Sequence, residues 1–357
     1  MRSELNKAKR IVVKLGTAVL TDERKQPDPA QMGQLVAQIA RLREAGKQVV
    51  IVTSGAVGAG MGVLGYNKRP DSVAEQQACA AVGQSRLMAT YEKLFSEYEL
   101  RVAQVLVTHA DLQHEERHRN ARNTLTTLLH RGVIPIINEN DAVSTTELKF
   151  GDNDKLSALV AALLPADLLV ILTSVDGVME NFGKAGARRI SAIPQIDEHV
   201  EKLAGGTTSA TAVGGMKCKI QAARIVMRTG IPLVIAPGRN TTALEQIIRG
   251  EDVGTLFPPQ SSKLRGRKRW IAFFHHPRGA VFVDGGAKRA LMENGKSLLP
   301  PGVTRCEGEF SAGEIVSICG DDGVEFARGM SAFTSKEISE HKSLHGEVVH
   351  RDDLVIL

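Results

Sequence analysis

The sequence predicts an α/β protein, a three-layer sandwich with a mainly parallel central sheet, followed by a small β-rich domain. Three observations lead there. Apolar runs of strand length recur up to about residue 257, helix-periodic segments separate them, and the runs are continuous rather than alternating. A strand that is apolar at every residue is buried on both faces, as in parallel sheets covered by helices.

The elements follow in order. IVVKLG (11–16) is a β-branched run ended by glycine. The next segment carries Leu35, Ile39 and Leu42 at helical spacing and stops at Gly46. VVIVTSG (49–55) is a second apolar strand, followed by a glycine-rich turn and a long helix over 73–97. VAQVLVT (102–108), VIPIINEN (133–140), DLLVILTS (167–174) and PLVIAPG (232–238) repeat the theme. The stretch SALVAALLPADLLVILTSV (157–175) approaches the length of a membrane span, about 20 residues. Pro165 and Asp167 in its middle favour a buried helix, a turn and a buried strand.

Near PPQSSKLRGRKR (258–269) the composition changes to that of a linker. WIAFF, AVFVDGG, EIVSICG and VEFARGM then read as short strands, with one helix around AKRALMENG. The expected boundaries are 1–258, a linker 259–269, a small domain 270–345 and a tail 346–357.

Bulk properties narrow the function. A chain of 357 residues suggests two domains, and 43% apolar with 24% charged residues is typical of soluble globular proteins. The net charge of +5 is too mild to imply nucleic acid, and Arg265, Arg267, Lys268 and Arg269 read as a solvated linker. Four cysteines (79, 218, 306, 319) without CxxC pairing, and an opening with too short an apolar run for a signal peptide, point to the cytoplasm.

In parallel α/β sheets ligands bind beyond the carboxyl ends of the strands. Lys14–Thr17, Thr53–Gly55, Asn138–Asp141 and Thr173–Ser174 follow four of the expected strands, which would place them along one edge. GMGVLG (60–65) formally matches GxGxxG but follows the second strand, so it argues against a dinucleotide fold. Its glycines still allow close backbone approach to an anion. A second glycine-rich stretch, GGTTSATAVGGMKCK (205–219), runs into a helix carrying Lys217 and Lys219, which suits a nucleotide's phosphates. GKS at 295–297 lacks the rest of a Walker loop and reads as a turn. HEERH (114–118) matches the zinc-peptidase spacing but sits in a charged segment typical of a solvated helix face.

INENDAVSTTELKFGDND (137–154) packs short amides and carboxylates together with no nucleophile–histidine pair. With two lysines and two glycine-rich turns, this composition suits phosphoryl transfer, which needs positioning and charge neutralisation more than covalent help. A carboxylate acceptor has a pKa near about 4.3 and is ionised at neutral pH, so the lack of a base points to an acid or another weakly basic acceptor.

VVKLGT, IVTSGAVGAG, AAVGQSRL, INENDAV with GDND, and GGM followed by Lys219 resemble the glutamate 5-kinases of the amino-acid-kinase family. RKRW, VDGGAKRAL, GKSLLPPGV and GEFSAGEIVSI resemble the PUA domain many of them carry. The resemblance implies a catalytic domain over 1–258 and transfer of the ATP γ-phosphate, with Mg²⁺ bound through ATP and no direct protein ligand, to the side chain of L-glutamate. It assigns Lys14, Lys219 and Asp154 to catalysis, and Ser54, Gly55, Asn138, Asp141 and Asn153 to the acceptor. It gives Lys14, Gly16, Thr173, Ser174, Val213, Gly214, Gly215, Met216 and Lys219 to ATP. It further implies feedback inhibition by L-proline, and a homo-oligomer (dimer or tetramer) is expected. The lability of an acyl phosphate in water suggests handover to glutamyl phosphate reductase, while RNA binding by the PUA-like part is left open. Other acceptors, such as another amino acid or carbamate, and an RNA-binding protein are the competing readings. The sequence departs from the family pattern at Ser174, where some relatives have Asp, and at Val213, where Thr is frequent.

Overall fold

The computed structural model describes residues 1–22, 26–144, 153–184, 186–205, 215–260, 266–274, 277–340 and 345–357. They divide into two compact units, Met1–Lys263 and Leu264–Leu357.

The first unit opens with β1 (Arg10–Leu15), buried from Ile11 onward, then the short α1 (Thr17–Leu20) and α2 (Pro29–Glu44). The start of α2 is specified locally: Asp28 accepts from the Gln31 backbone N–H at 3.0 Å, and Pro29 occupies the first helical position. It ends before Gly46, whose φ of +75° few other residues tolerate. There follow β2 (Gln48–Val52), α3 (Ala56–Val63), α4 (Val73–Ser96), β3 (Val102–Val107), α5 (His109–Gln113), α6 (Glu115–His130) and β4 (Ile134–Glu139). Next come α7 (Asn153–Leu163), β5 (Leu168–Thr173), the two-residue strands β6 (Met179–Glu180) and β7 (Arg188–Arg189), α8 (Glu198–Gly205) and α9 (Met216–Arg228). The unit ends with β8 (Leu233–Pro237), α10 (Ala243–Ile248) and β9 (Thr255–Phe257).

Seven strands form one sheet in the order β3-β4-β2-β1-β5-β8-β9. Neighbours are parallel except β8 and β9, which run antiparallel at the edge. Along β1, Ile11, Val13 and Leu15 join Leu35, Ile39 and Leu87 in one core layer. Strand alternation sends Val12 and Lys14 to the opposite face. The 157–175 stretch forms the end of α7, a turn at Pro165 and β5; α7 is buried on nearly every residue from Asp154 to Leu163. No helix among the described residues is long and apolar enough to cross a membrane.

The glycine-rich stretch after β2, expected as a turn, is largely the helix α3. Its glycines serve helix packing. A Cβ on Gly60 would stand 1.8 Å from the Cys79 carbonyl oxygen, and one on Gly83 would stand 1.8 Å from that of Ala56. Two facing glycines therefore let α3 and α4 touch backbone to backbone. Gly83→Val is expected to cost about 3 kcal/mol, read as a lower urea midpoint, because two backbones cannot yield as a side chain would. A midpoint within error of wild type would show that the helices part easily.

The second unit differs from the sequence reading at both ends. WIAFF, expected as a strand after a linker reaching 269, is the end of helix α11 (Gly266–Phe273), with Ile271 and Ala272 buried against Ile315 and Val355. After it come β10 (Gly279–Val283), α12 (Gly285–Asn294), β11 (Val303–Glu307), β12 (Ile315–Cys319), β13 (Glu325–Met330), α13 (Ser335–Glu340) and β14 (Leu354–Ile356). The sheet order is β11-β10-β12-β13-β14. Residues 346–357, expected as a tail, belong to this fold: Leu354 pairs with Gly329, and Val348 and Val349 are fully buried. Their apolar side chains complete the core of Val281, Val316 and Ile318.

Candidate active site

The strands β4, β2, β1 and β5 are consecutive in the sheet and parallel, so their carboxyl ends open on one edge. Asn138, Thr53 and Ser54, Lys14, and Thr173 stand at or just beyond those ends.

Three buried charges form the centre. The Lys14 ammonium lies 2.7 Å from Asp154 Oδ1, and the Lys219 ammonium lies 3.0 Å from Asp154 Oδ2. Lys14 comes from the face of β1 opposite the Leu35 layer, Asp154 from the first turn of α7, and Lys219 from the first turn of α9. Asp154 is 1% exposed, with Lys14 and Lys219 at 7% and 8%. Burial pulls the Lys14 ammonium below the ordinary lysine range; Asp154 opposes that shift and Lys219 adds to it. Burial alone would raise the Asp154 carboxyl, but the two ammonium groups outweigh it and hold the carboxyl low. One carboxylate between two lysines leaves a net positive charge in a buried site, ready for an anion.

Beside this centre runs a chain of amides. Asn153 Nδ2 reaches the Thr53 carbonyl at 2.7 Å, Ser54 Oγ at 3.0 Å and Asn138 Oδ1 at 3.0 Å. Asn138 Nδ2 donates to Gln84 Oε1 at 2.9 Å. Gly55 begins α3 with φ of +98°, which turns the chain sharply after Ser54. Asp141 is half-buried in the turn after β4.

The remaining assigned residues are less concentrated. Gly16 lies next to Lys14: a Cβ there would be 3.6 Å from the Lys14 ammonium. Thr173 is half-buried and Ser174 exposed, beyond β5. Gly215 and Met216 open α9, whereas Val213 and Gly214 lie outside the described residues. HEERH spans the start of α6: His114 is its N-cap residue with extended backbone, and His118 lies one turn on, its N–H bonded to the His114 carbonyl at 2.8 Å. Among the described residues no cluster of three or more His, Cys, Asp or Glu could hold a metal.

Sequence reasoning assigned nothing to α4, yet one stripe of it supports the site. Gln77 Nε2 donates to the Ser144 carbonyl at 3.3 Å, Gln84 accepts from Asn138, and the Tyr91 hydroxyl lies 2.8 Å from Thr53 Oγ1. The signal was present: Gln77, Gln84 and Tyr91 recur every seven residues, hence on one helical face.

Comparison with known proteins agrees with this architecture. The family described as "Amino acid kinase family" matches residues 9–237, and the PUA domain matches residues 279–352. The chain is 47% identical to the glutamate 5-kinase of Geobacter sulfurreducens, with 99% of each chain covered. It is 45% identical to that of Moorella thermoacetica, covering 100% of this chain and 98% of that one. Among solved structures, carbamate kinase from Giardia lamblia bound to AMP-PNP matches with a TM-score of 0.52 at 18% identity, covering 71% of this chain and 100% of that one. That likeness supports the fold. The chain belongs to the amino acid kinase family, and within it to the glutamate 5-kinases that carry a PUA domain.

Proposed function

We propose that this amino acid kinase transfers the γ-phosphoryl group of ATP to the side-chain carboxylate of L-glutamate, giving L-glutamyl 5-phosphate for L-proline synthesis. The observation that carries the reading is the buried Lys14–Asp154–Lys219 centre beside an amide-lined subsite. Mg²⁺ enters with ATP as part of the substrate, while the Asp154 carboxylate faces the two ammonium groups.

A carboxylate oxygen forms the new bond to the γ-phosphorus as the bond to the β-phosphate oxygen breaks, and ADP leaves. No proton moves, which removes the need for a base. Repulsion between acceptor and triphosphate is the obstacle, and Lys14 and Lys219 offset it while Asp154 keeps both oriented. Asn138, Asn153, Ser54 and the turn at Gly55 bind the acceptor, with Asp141 taking its α-ammonium. Gly16, Thr173, Ser174 and the start of α9 receive the nucleotide. The same reading carries feedback by L-proline, a dimer or tetramer, and handover to a reductase; these rest on the resemblance and on the lability of an acyl phosphate in water.

The test is ADP release from Mg-ATP with L-glutamate and hydroxylamine, which traps the product as a hydroxamate. Glutamate-dependent hydroxamate supports the reading, and turnover with another acid alone would replace the acceptor. A pH profile adds a second check. The charged form of Lys14 is the active one and its pKa in the free protein lies below the ordinary 10.5, so kcat/KM should fall at lower pH than free lysine titrates. A flat profile up to that pH would remove Lys14 from the chemistry.

A further inference from the structure

The amide chain has fixed polarity because backbone groups pin Asn138 and Asn153. The Glu139 N–H can only donate, and it donates to Asn138 Oδ1 at 3.0 Å. The Thr53 carbonyl can only accept, and it takes Asn153 Nδ2 at 2.7 Å. Asn138 must therefore turn Oδ1 toward Asn153 and Nδ2 toward Gln84, and Gln84 must answer with Oε1. What remains is Gln84 Nε2, a buried donor that has no partner among the described residues, on a side chain belonging to a residue 8% exposed. Buried donors are nearly always paired, so an orphan at the end of a substrate-binding network marks a place for a ligand acceptor.

We propose that Gln84 is a further substrate-binding residue, whose Nε2 donates a hydrogen bond to the α-carboxylate of the acceptor amino acid. This rests on the acceptor reading above and assigns one end of it. Asn153 adjoins Asp154 and hence the lysines, whereas Gln84 is at the other end of the Gln84–Asn138–Asn153 chain. The carboxylate to be phosphorylated belongs beside the lysines, so the one Gln84 meets is the carboxylate that does not react. The stripe of α4 holds it there: Gln77 ties the helix to Ser144 and Tyr91 ties it to Thr53.

The test compares L-glutamate with 4-aminobutyrate, which keeps the reacting carboxylate and the amine but lacks the α-carboxylate. Wild type and Gln84→Met are assayed with both acceptors by the hydroxamate method, and Gln84→Glu keeps an acceptor for Asn138 while removing the donor. Both variants should raise KM for L-glutamate about 10- to 100-fold, the loss of a bond to a charged group, with KM for ATP unchanged. In Gln84→Glu, which keeps the acceptor for Asn138, the loss with 4-aminobutyrate should be much smaller than with L-glutamate, so the preference for glutamate in kcat/KM shrinks. The rise in Tm that L-glutamate gives wild type should shrink in both variants at the same glutamate concentration. Equal losses with both acceptors, or an undiminished Tm rise, would overturn the assignment and leave Gln84 a structural amide. A wild type with neither hydroxamate nor a Tm rise from glutamate would instead overturn the acceptor reading, and this inference with it.

Discussion

Asp154→Ala is expected to abolish hydroxamate formation and to destabilise the protein by about 3–5 kcal/mol, because it leaves two buried ammonium groups without their shared counter-charge. Against the roughly 5–15 kcal/mol that holds a typical domain folded, this is a large fraction. Urea denaturation reads the stability, and the trapped product reads the activity. The pH dependence gives a sharper signature. The Asp154 carboxyl is held below its ordinary 3.8, so its contribution is complete above that value and is lost as pH falls through the lower folded pKa. The stability gap between wild type and Asp154→Asn should therefore be constant near neutrality and shrink in that acid window. A variant within about 1 kcal/mol of wild type would mean that the lysines find other partners.

Lys219→Ala should separate activity from stability. On the proposed mechanism this removes one of two charges that stabilise the migrating phosphoryl group, and kcat is expected to fall about 10³-fold with KM for the acceptor little changed. Stability should hold or rise, since the excess positive charge of the centre disappears and Lys14 loses a repelling neighbour. The alkaline limb assigned to Lys14 should move to higher pH for the same reason. Retained kcat with a raised KM for ATP would assign Lys219 to ground-state nucleotide binding alone.

The strands that carry the site were legible because a strand buried on both faces is apolar at every residue. Lys14, Thr53, Ser54 and Asn138 could then be located as the polar residues ending those runs. The role of Gly60 and Gly83 was not legible, since their partner is another helix and nothing local distinguishes packing from anion binding. WIAFF was misread because five apolar residues carry no usable period. The strand at Thr255–Phe257 is shorter still and is defined by pairing with β8. The Lys–Asp–Lys centre unites three separate segments, so its assignment came through the family resemblance rather than through spacing.

Asn153 and Asp154 are neighbours on the first turn of α7, one bonded into the amide chain and the other into the lysines. On the proposed function, a single turn of helix thus gears the two subsites: it cannot tilt without moving the amide chain and the lysine-bound carboxylate together. Substitutions that disturb how α7 is seated should register in the Michaelis constants of both substrates at once, whereas those confined to the amide chain should register in the acceptor's alone.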